Sequence, residues 1–209
     1  ILPVTYNVAE NDSLGLVNAI ASANANCSTQ SPVTINLAGG TYTLTTPMEF
    51  DHGLVVWCKI IINGYQSIIE RDPNVEPFRV FFVFRELGLN AQGDLTLNNV
   101  TIRGGSPTYG GGAGIAVVGG RLALNQVIIR DNTLNTTHWG IIGGAGVSVE
   151  GGELIVDNVL FENNQNFGTS PLVMGGGLSI DGQWDGFVHQ IHNAVFRNNG
   201  SAGYGGGSA

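Results

Sequence analysis

One short phrase recurs four times in the second half of this chain and limits what the chain can fold into more than any other feature. It reads LTLNNVTIRGG at residues 95–105, LALNQVIIRDN at 122–132, LIVDNVLFENN at 154–164 and HQIHNAVFRNN at 189–199. Successive copies begin between 27 and 35 residues apart, which is the size of one repeat in a solenoid. A repeat this short cannot bury an apolar face alone, so neighbouring repeats must stack.

A glycine-rich phrase precedes three of these copies. It reads GGGAGIAVVGG from residue 110, GGAGVSVEGG from residue 143 and GGGLSIDGQ from residue 175. Each repeat therefore contains a glycine turn, a short strand, a turn, a second strand, a polar turn and a third strand. This grammar predicts an all-β chain, a parallel β-helix (solenoid).

Aligning the repeats places similar side chains in columns. The apolar columns are Val100, Val127, Val159 and Ala194, and Ile102, Ile129, Phe161 and Phe196. Strand alternation sends both columns to the inside. The polar columns at the bend are Asn98, Asn125, Asp157 and His192, and Asn99, Gln126, Asn158 and Asn193. These amides either bond to one another as a ladder or are present because asparagine tolerates left-handed turns.

The glycine phrases, with FENN at residues 161–164 and FRNN at 196–199, resemble the GGA(I/L/V) and FxxN repeats of polymorphic outer-membrane proteins and autotransporter passengers. Upstream, GLVNAIASANAN from residue 15 and VTINLAGGTYTLTTP from residue 33 are similar to the N-terminal cap of secreted bacterial β-helix proteins of the CSLREA type. Here GLVN stands where that signature has SLRE, and its leading cysteine is missing. The resemblance implies that the β-helix is right-handed and that the protein is secreted or displayed on the cell surface.

We expect a single domain over residues 1–209. Residues 1–32 are expected to form a lead strand and a capping α-helix that begins at Asp12 and Ser13. Residues 33–94 are expected to form irregular coils and residues 95–209 the regular repeats. A fourth glycine phrase, GGGSA at residues 205–209, stops before its strand, which predicts an incomplete C-terminal repeat.

Two predictions concern side chains that face inward. On the cap helix, the inward residues are predicted to be Leu14, Val17, Ile20 and Ala21. In FRVFFVF at residues 78–84, alternation from Phe78 predicts Val80, Phe82 and Phe84 inside and Phe81 and Val83 outside. A loop or the cap would cover the two outward residues, or they would form a patch for a partner.

The cysteines indicate the cellular compartment of the protein, and its net charge indicates which partners it can bind. With the resemblance, Cys27 and Cys58 are expected to form a disulfide, which would stabilise the fold by about 3 kcal/mol; the alternative is two free thiols in a cytosolic protein. A net charge of −8 disfavours nucleic acid and anionic membranes as partners. No apolar run reaches transmembrane length, and no cofactor motif is present.

A pair of carboxylates is the strongest catalytic candidate. Val118, Glu150 and Asp181 share a column, which would place two acids on adjacent strands about 5 Å apart. Like charges this close raise one pKa, as the acid and nucleophile of a retaining glycosidase require. Glu150, Asp181 and Asp185 could instead hold Ca²⁺, or the acids could be solvated turn residues without a function.

Connections of variable length between repeats are expected to emerge on one edge, where solenoids usually place recognition. The ligand-binding candidates there and beside the acids are Tyr109, His138, Trp139, Phe167, Trp184 and Tyr204. Sugar rings stack on such faces; the alternative is that these residues only pack the turns.

Together these observations predict a secreted or cell-surface structural or adhesive protein. Its partners would be surface glycans or identical subunits associating end to end. The competing hypotheses are a polysaccharide-active enzyme, either a glycoside hydrolase or a lyase, and a noncatalytic carbohydrate-binding module.

The order of strands and turns in each repeat leads to a direct spectroscopic prediction. Circular dichroism should show mostly β-strand with a small helical share from residues 13–24. A helix content above about a third of the residues would contradict the assignment, because the strand pattern leaves no room for it.

Overall fold

The computed structural model describes residues 4–27, 32–86, 91–135, 143–168, 174–181 and 186–202. Within them the chain is mostly β-strand with one α-helix. The elements are β1 (Thr5–Val8), α1 (Ser13–Ala25), β2 (Val33–Leu37), β3 (Thr41–Leu44), β4 (His52–Val56), β5 (Lys59–Arg71), β6 (Arg79–Glu86), β7 (Ala91–Gln92), β8 (Asp94–Arg103), β9 (Ile115–Val118), β10 (Arg121–Asn125), β11 (Ile128–Arg130), β12 (Thr133–Leu134), β13 (Val147–Glu150), β14 (Glu153–Glu162), β15 (Gln165–Asn166), β16 (Leu178–Asp181), β17 (Gln190–Arg197) and β18 (Gly200–Ser201).

The strands form three sheets, and nearly all pairings are parallel. The first sheet runs β1-β2-β5-β8-β10-β14, with β3 beside β5, β11 between β8 and β14, and β17 beside β14. The second runs β4-β6-β9-β13-β16, with the short antiparallel β7 beside β6, and the third runs β12-β15-β18. Each sheet therefore takes strands from successive repeats, and the all-β prediction with parallel strands is confirmed.

The predicted apolar columns pair in register inside the protein. Ile102 pairs with Ile129, Ile129 with Phe161, and Phe161 with Phe196. Ile102, Ile129 and Phe161 are fully buried. The rings of Phe161 and Phe196 stack with centroids 4.7 Å apart and planes at 4°. The phenylalanine of the FxxN phrase is therefore a core residue that contacts its own counterpart in the next repeat.

Asparagines at the first polar column form a hydrogen-bonded row, the outer asparagine ladder. Its members are Asn7, Asn36, Asn63, Asn98 and Asn125. Each Nδ2 donates to the Oδ1 one repeat earlier, over 2.8–3.4 Å. In the next repeat Asp157 has no amide and accepts from Asn193 instead, at 3.4 Å. The ladder prediction is confirmed, and the ladder extends further towards the N-terminus than the repeats suggested.

Residues at the second polar column serve a different purpose. Asn99, Gln126, Asn158 and Asn193 have positive φ angles of 51–56°. Asparagine adopts this left-handed conformation more readily than most residues. Both explanations for the polar bend therefore hold: the first polar column forms the amide ladder, and the second supplies residues that adopt the left-handed turn.

A second row, the buried asparagine ladder, consists of Asn132, Asn164 and Asn199. Asn132 Nδ2 donates to Asn164 Oδ1, and Asn164 Nδ2 donates to Asn199 Oδ1, both at 2.9 Å. These oxygens also accept from backbone amides, and Nδ2 of Asn164 donates to the carbonyl of Ile129 at 2.9 Å. In the first repeat Gly105 replaces asparagine, because a Cβ there would collide with the carbonyl of Ala113.

Helix α1 lies against the first strands, and Asp12 caps it by accepting from the amide of Gly15 at 2.8 Å. Its buried residues are Leu16, Ala19, Ile20, Ala23 and Asn24. Ile20 is buried and Val17 packs against the core as predicted, but Leu14 and Ala21 are exposed, so the predicted face is rotated from the buried one by roughly a quarter of a turn. Among the described residues, no helix has the length and apolar character needed to cross a membrane.

The end of the helix is fastened to strand β4. Asn24 Nδ2 donates to the carbonyl of Val55 at 2.7 Å, and its Oδ1 accepts from the amide of Trp57 at 3.3 Å. Cys27 forms a disulfide with Cys58, with Cα atoms 5.5 Å apart. The predicted disulfide is confirmed, and it ties the helix to an early coil.

The predicted inward positions of Phe78 and Val80 are confirmed by their burial, but the alternation predicted for residues 81–84 was wrong. Phe81 and Val83 are fully buried, whereas Phe82 and Phe84 are partly exposed on the outer face. The reason is register: Phe81 pairs with Leu54 and Ile115, which belong to the core. The ring of Phe82 stacks on His52 at 4.1 Å and on Phe84 at 5.2 Å, so the outward rings cover one another.

The buried asparagine ladder predicts a large cost for one small deletion. Asn164→Ala removes the partners of Asn132 Nδ2 and of the Ile129 carbonyl inside the protein, and should lower the free energy of unfolding by about 3 kcal/mol. Asn125→Ala is the matched control, because Asn125 is exposed and forms one long bond of 3.4 Å; it should cost less than about 0.5 kcal/mol. Urea unfolding measures both, and equal costs would contradict the assignment.

Candidate functional site

The two carboxylates predicted from the sequence are neighbours in the second sheet. Glu150 ends strand β13, Asp181 ends strand β16, and the two residues pair directly. Val118, at the end of β9, pairs with Glu150 on its other side and is 41% exposed. The glycine phrases fix this register, because the close approach of their backbones leaves no room for side chains at Gly144 and Gly146.

Electrostatics set Glu150 apart from the other acids. Partial burial, and then the charge of Asp181, raise the pKa of Glu150 above its ordinary value. By contrast, Glu153 lies 3.1 Å from Arg121, which also holds Asp94 at 2.8 Å. Glu153 is therefore neutralised in a row of alternating charges and does not join the pair.

A second cluster of charged groups in the second sheet surrounds Arg79, whose charge partly offsets the raised pKa of Glu150. Its guanidinium donates from Nε to His52 Nδ1 at 2.9 Å, from Nη1 to the carbonyl of Gly111 at 2.5 Å and from Nη2 to the carbonyl of Tyr109 at 2.7 Å. Asp51 Oδ2 lies 3.6 Å from Nη2. Only 5% of the Arg79 side chain is exposed, so these contacts account for most of its surroundings.

Asp51 and His52 have two mutually exclusive arrangements. His52 Nδ1 lies 2.9 Å from both Arg79 Nε and Asp51 Oδ1. Because Arg79 Nε always carries a proton, Nδ1 of His52 either accepts from Arg79 or, when Nδ1 carries its own proton, donates to Asp51, but it cannot do both. Burial raises the pKa of Asp51, but the hydrogen bond with His52 and the attraction of Arg79 outweigh burial and leave this pKa below its ordinary value.

These residues form an open cleft of about 530 Å³, which we call the Arg79 cleft. It is lined by Phe50, Asp51, His52, Arg79, Thr108, Tyr109 and Gly110. Phe50 is 86% exposed and Tyr109 is 55% exposed. The volume is in the range of sites for small ligands, and the lining combines two aromatic rings with a polar floor.

The structure separates the predicted aromatic candidates. Tyr109 lines the Arg79 cleft, whereas Phe167, 54% exposed, follows strand β15 of the third sheet. The remaining candidates lie outside the described residues: His138, Trp139, Trp184, Asp185 and Tyr204. Of the predicted catalytic and ligand-binding residues that the structure describes, Glu150 and Asp181 alone are brought together.

Sequence reasoning missed Phe50, Asp51, His52 and Arg79 as a group. The one signal was a lone arginine in the otherwise apolar run FRVFFVF, where a charge must find partners when it is buried. Its partners come from a turn 27 residues earlier and a loop 30 residues later, and no spacing rule connects them.

Neither a search for metal-binding geometry nor comparison with known proteins assigns a ligand to these two sites. Within the described ranges, no group of three or more histidine, cysteine, aspartate or glutamate side chains is arranged to hold a metal ion. The predicted calcium site includes Asp185, which lies outside those ranges. No protein family, curated protein or solved structure matches the chain. The resemblance to outer-membrane and CSLREA-type proteins therefore stays a prediction.

The raised pKa of Glu150 predicts a pH-dependent stability. A carboxyl with a higher pKa in the folded state binds its proton more tightly when folded, so ionising it costs stability above that pKa. Glu150→Gln with Asp181→Asn should therefore raise the free energy of unfolding by about 0.5 kcal/mol at pH 7. The difference should fade as the pH drops towards about 4.

Glu153→Gln is the control, because it removes an ion pair with Arg121 and should not stabilise the fold. Urea unfolding at pH 4, 5.5 and 7 tests both variants. If the double substitution destabilises the fold at pH 7, the two carboxylates hold a stabilising partner such as a cation.

Proposed function

We propose that this chain is a right-handed parallel β-helix with a capping α-helix that serves as a secreted or cell-surface structural or adhesive protein. Three sheets in which parallel strands of successive repeats pair side by side support the solenoid. The handedness comes from the family resemblance alone. Helix α1, held to β4 by Asn24 and the disulfide, supports the cap.

The observation that carries the proposal is that most polar columns are used to join repeats. Asparagines bond to asparagines in both ladders. Charges alternate across strands, with Arg121 between Asp94 and Glu153, and Arg197 against Glu162 at 2.5 Å. A chain whose polar side chains mainly stabilise its own stack is built as a rigid support.

Extracellular location is supported by the disulfide between Cys27 and Cys58, because disulfides persist mainly in oxidising compartments. An adhesive function would use a surface that the ladders leave free. End-to-end association of identical subunits stays part of the proposal, and light scattering over a range of concentrations would detect it.

The enzyme hypothesis keeps one specific observation in its favour, the raised pKa of Glu150 beside Asp181. A general acid of a glycosidase needs such a pKa. However, neither carboxylate lines the Arg79 cleft or the second described cleft, which lies at Glu70, Arg71 and Arg103. A polysaccharide chain would have to be cleaved on the outer face of the sheet, so we place this hypothesis second.

Two assays on native material test the proposal. Proteolytic shaving of intact source cells, or analysis of the medium, should release peptides of this chain with Cys27 and Cys58 linked. Incubation with a panel of polysaccharides should give no cleavage products. Recovery only from the cytosol with two alkylatable thiols would contradict the extracellular function.

Cleavage of any polysaccharide that disappears in the Glu150→Gln variant would replace the structural function with the enzyme. Neither the recovery of linked peptides nor the cleavage assay depends on whether the protein binds a glycan without cleaving it.

A further inference from the structure

Phe50 has a backbone conformation that a bulky residue rarely adopts. Its φ angle is +46°, in the left-handed region. It is the first central residue of a tight turn, because the amide of His52 donates to the carbonyl of Glu49 at 2.8 Å and Glu49 and His52 form an antiparallel bridge. Turns of this shape ordinarily have glycine or asparagine at that position.

Packing does not explain this phenylalanine. The side chain is 86% exposed, so it gains almost nothing from burial. A strained backbone that supports an exposed ring lowers stability on both counts, and such outliers cluster at functional sites. Phe50 lies at the rim of the Arg79 cleft.

The floor of the cleft is rigid. The hydrogen bonds of Arg79 to the carbonyls of Tyr109 and Gly111 join the loop after β8 to strand β6, and its bond to His52 joins β6 to β4. The backbone of the rim residue Tyr109 is thereby held beside the floor, and its exposed ring projects from that point.

Charge decides which ligands fit the cleft. An anion would meet the carboxylate of Asp51, while the guanidinium that could attract it is 5% exposed and occupied by carbonyls and His52. A cation gains little, because Arg79 already balances the charge of Asp51. The floor instead offers the partly exposed side chains of Asp51 and His52, at 18% and 17%, to hydroxyl groups, with Oδ1 of Asp51 available because Oδ2 is buried.

We propose that the Arg79 cleft binds one ring of a neutral saccharide, with the apolar face of the sugar against Phe50 and Tyr109 and its hydroxyls towards Asp51 and His52. Aromatic faces with a few polar groups are the general means of binding a ring that is apolar on its faces and polar at its edge. The proposal rests on the adhesive part of the proposed function and supplies its ligand class.

The test combines binding with stability in the full-length protein. Isothermal titration would use maltohexaose, cellohexaose, N-acetylchitohexaose and mannohexaose as neutral probes, with oligogalacturonate and chitosan oligomers as charged probes. We expect at least one neutral probe to bind, and Phe50→Gly and Tyr109→Ala each to weaken that binding about tenfold or more. Phe50→Gly should also raise the Tm, because glycine adopts the positive φ without strain.

Phe167→Ala is the matched control for Tyr109→Ala, because it removes a ring of nearly equal exposure, 54% against 55%, outside the cleft and should leave binding unchanged. The site assignment is wrong if Phe167→Ala weakens binding as much as Phe50→Gly does. It is also wrong if Phe50→Gly lowers the Tm, since the ring would then be structural. Binding of charged probes alone, or of none, overturns the ligand class, while the extracellular location is decided separately by the shaving assay.

Discussion

Hydrogen bonds between identical side chains in successive repeats are the interaction on which this fold depends. Each strand is short, and the apolar columns would pack almost equally well after a shift of two residues along a neighbour. An asparagine buried at 0% exposure, such as Asn164, permits no such shift, because its amide and oxygen must find Ile129, Asn199 and Asn132 at the same time. The buried asparagine ladder therefore selects the register of the repeats that it joins, and that register places their outer residues.

That dependence explains how much of the fold could be predicted from the sequence. Columns within residues 95–199 were predictable, because each copy of the phrase includes both the apolar pair and the asparagines. Strand β6 was not, since it lies before the regular repeats and every position of its run is apolar, so the alternation could be read in either phase. Only pairing of Phe81 with Leu54 and Ile115 decides the phase. The helix face failed for a related reason, because alanines and small residues leave the periodicity weak.

The sites differ in the same way. Glu150 and Asp181 come from equivalent positions of two repeats, so the sequence alone predicted their contact. The Arg79 cleft is assembled from a turn, a strand and a loop that share no motif, and its most informative property, the positive φ of Phe50, is a property of the backbone. The first site has chemistry without an enclosing cleft, whereas the second has a cleft whose charges are already balanced.

Hydrogen exchange at single backbone amides tests the central claim most directly. The amide of Gly105 donates to Asn132 Oδ1 at 3.0 Å, so a side chain of the next repeat protects it, whereas the amide of Leu160 is protected by the Val127 carbonyl at 3.0 Å. In the Asn132→Ala variant, exchange at Gly105 should accelerate about a hundredfold relative to Leu160, because a buried amide loses its acceptor. Equal exchange at Gly105 in the parent and the variant would contradict the claim that buried asparagines join the repeats.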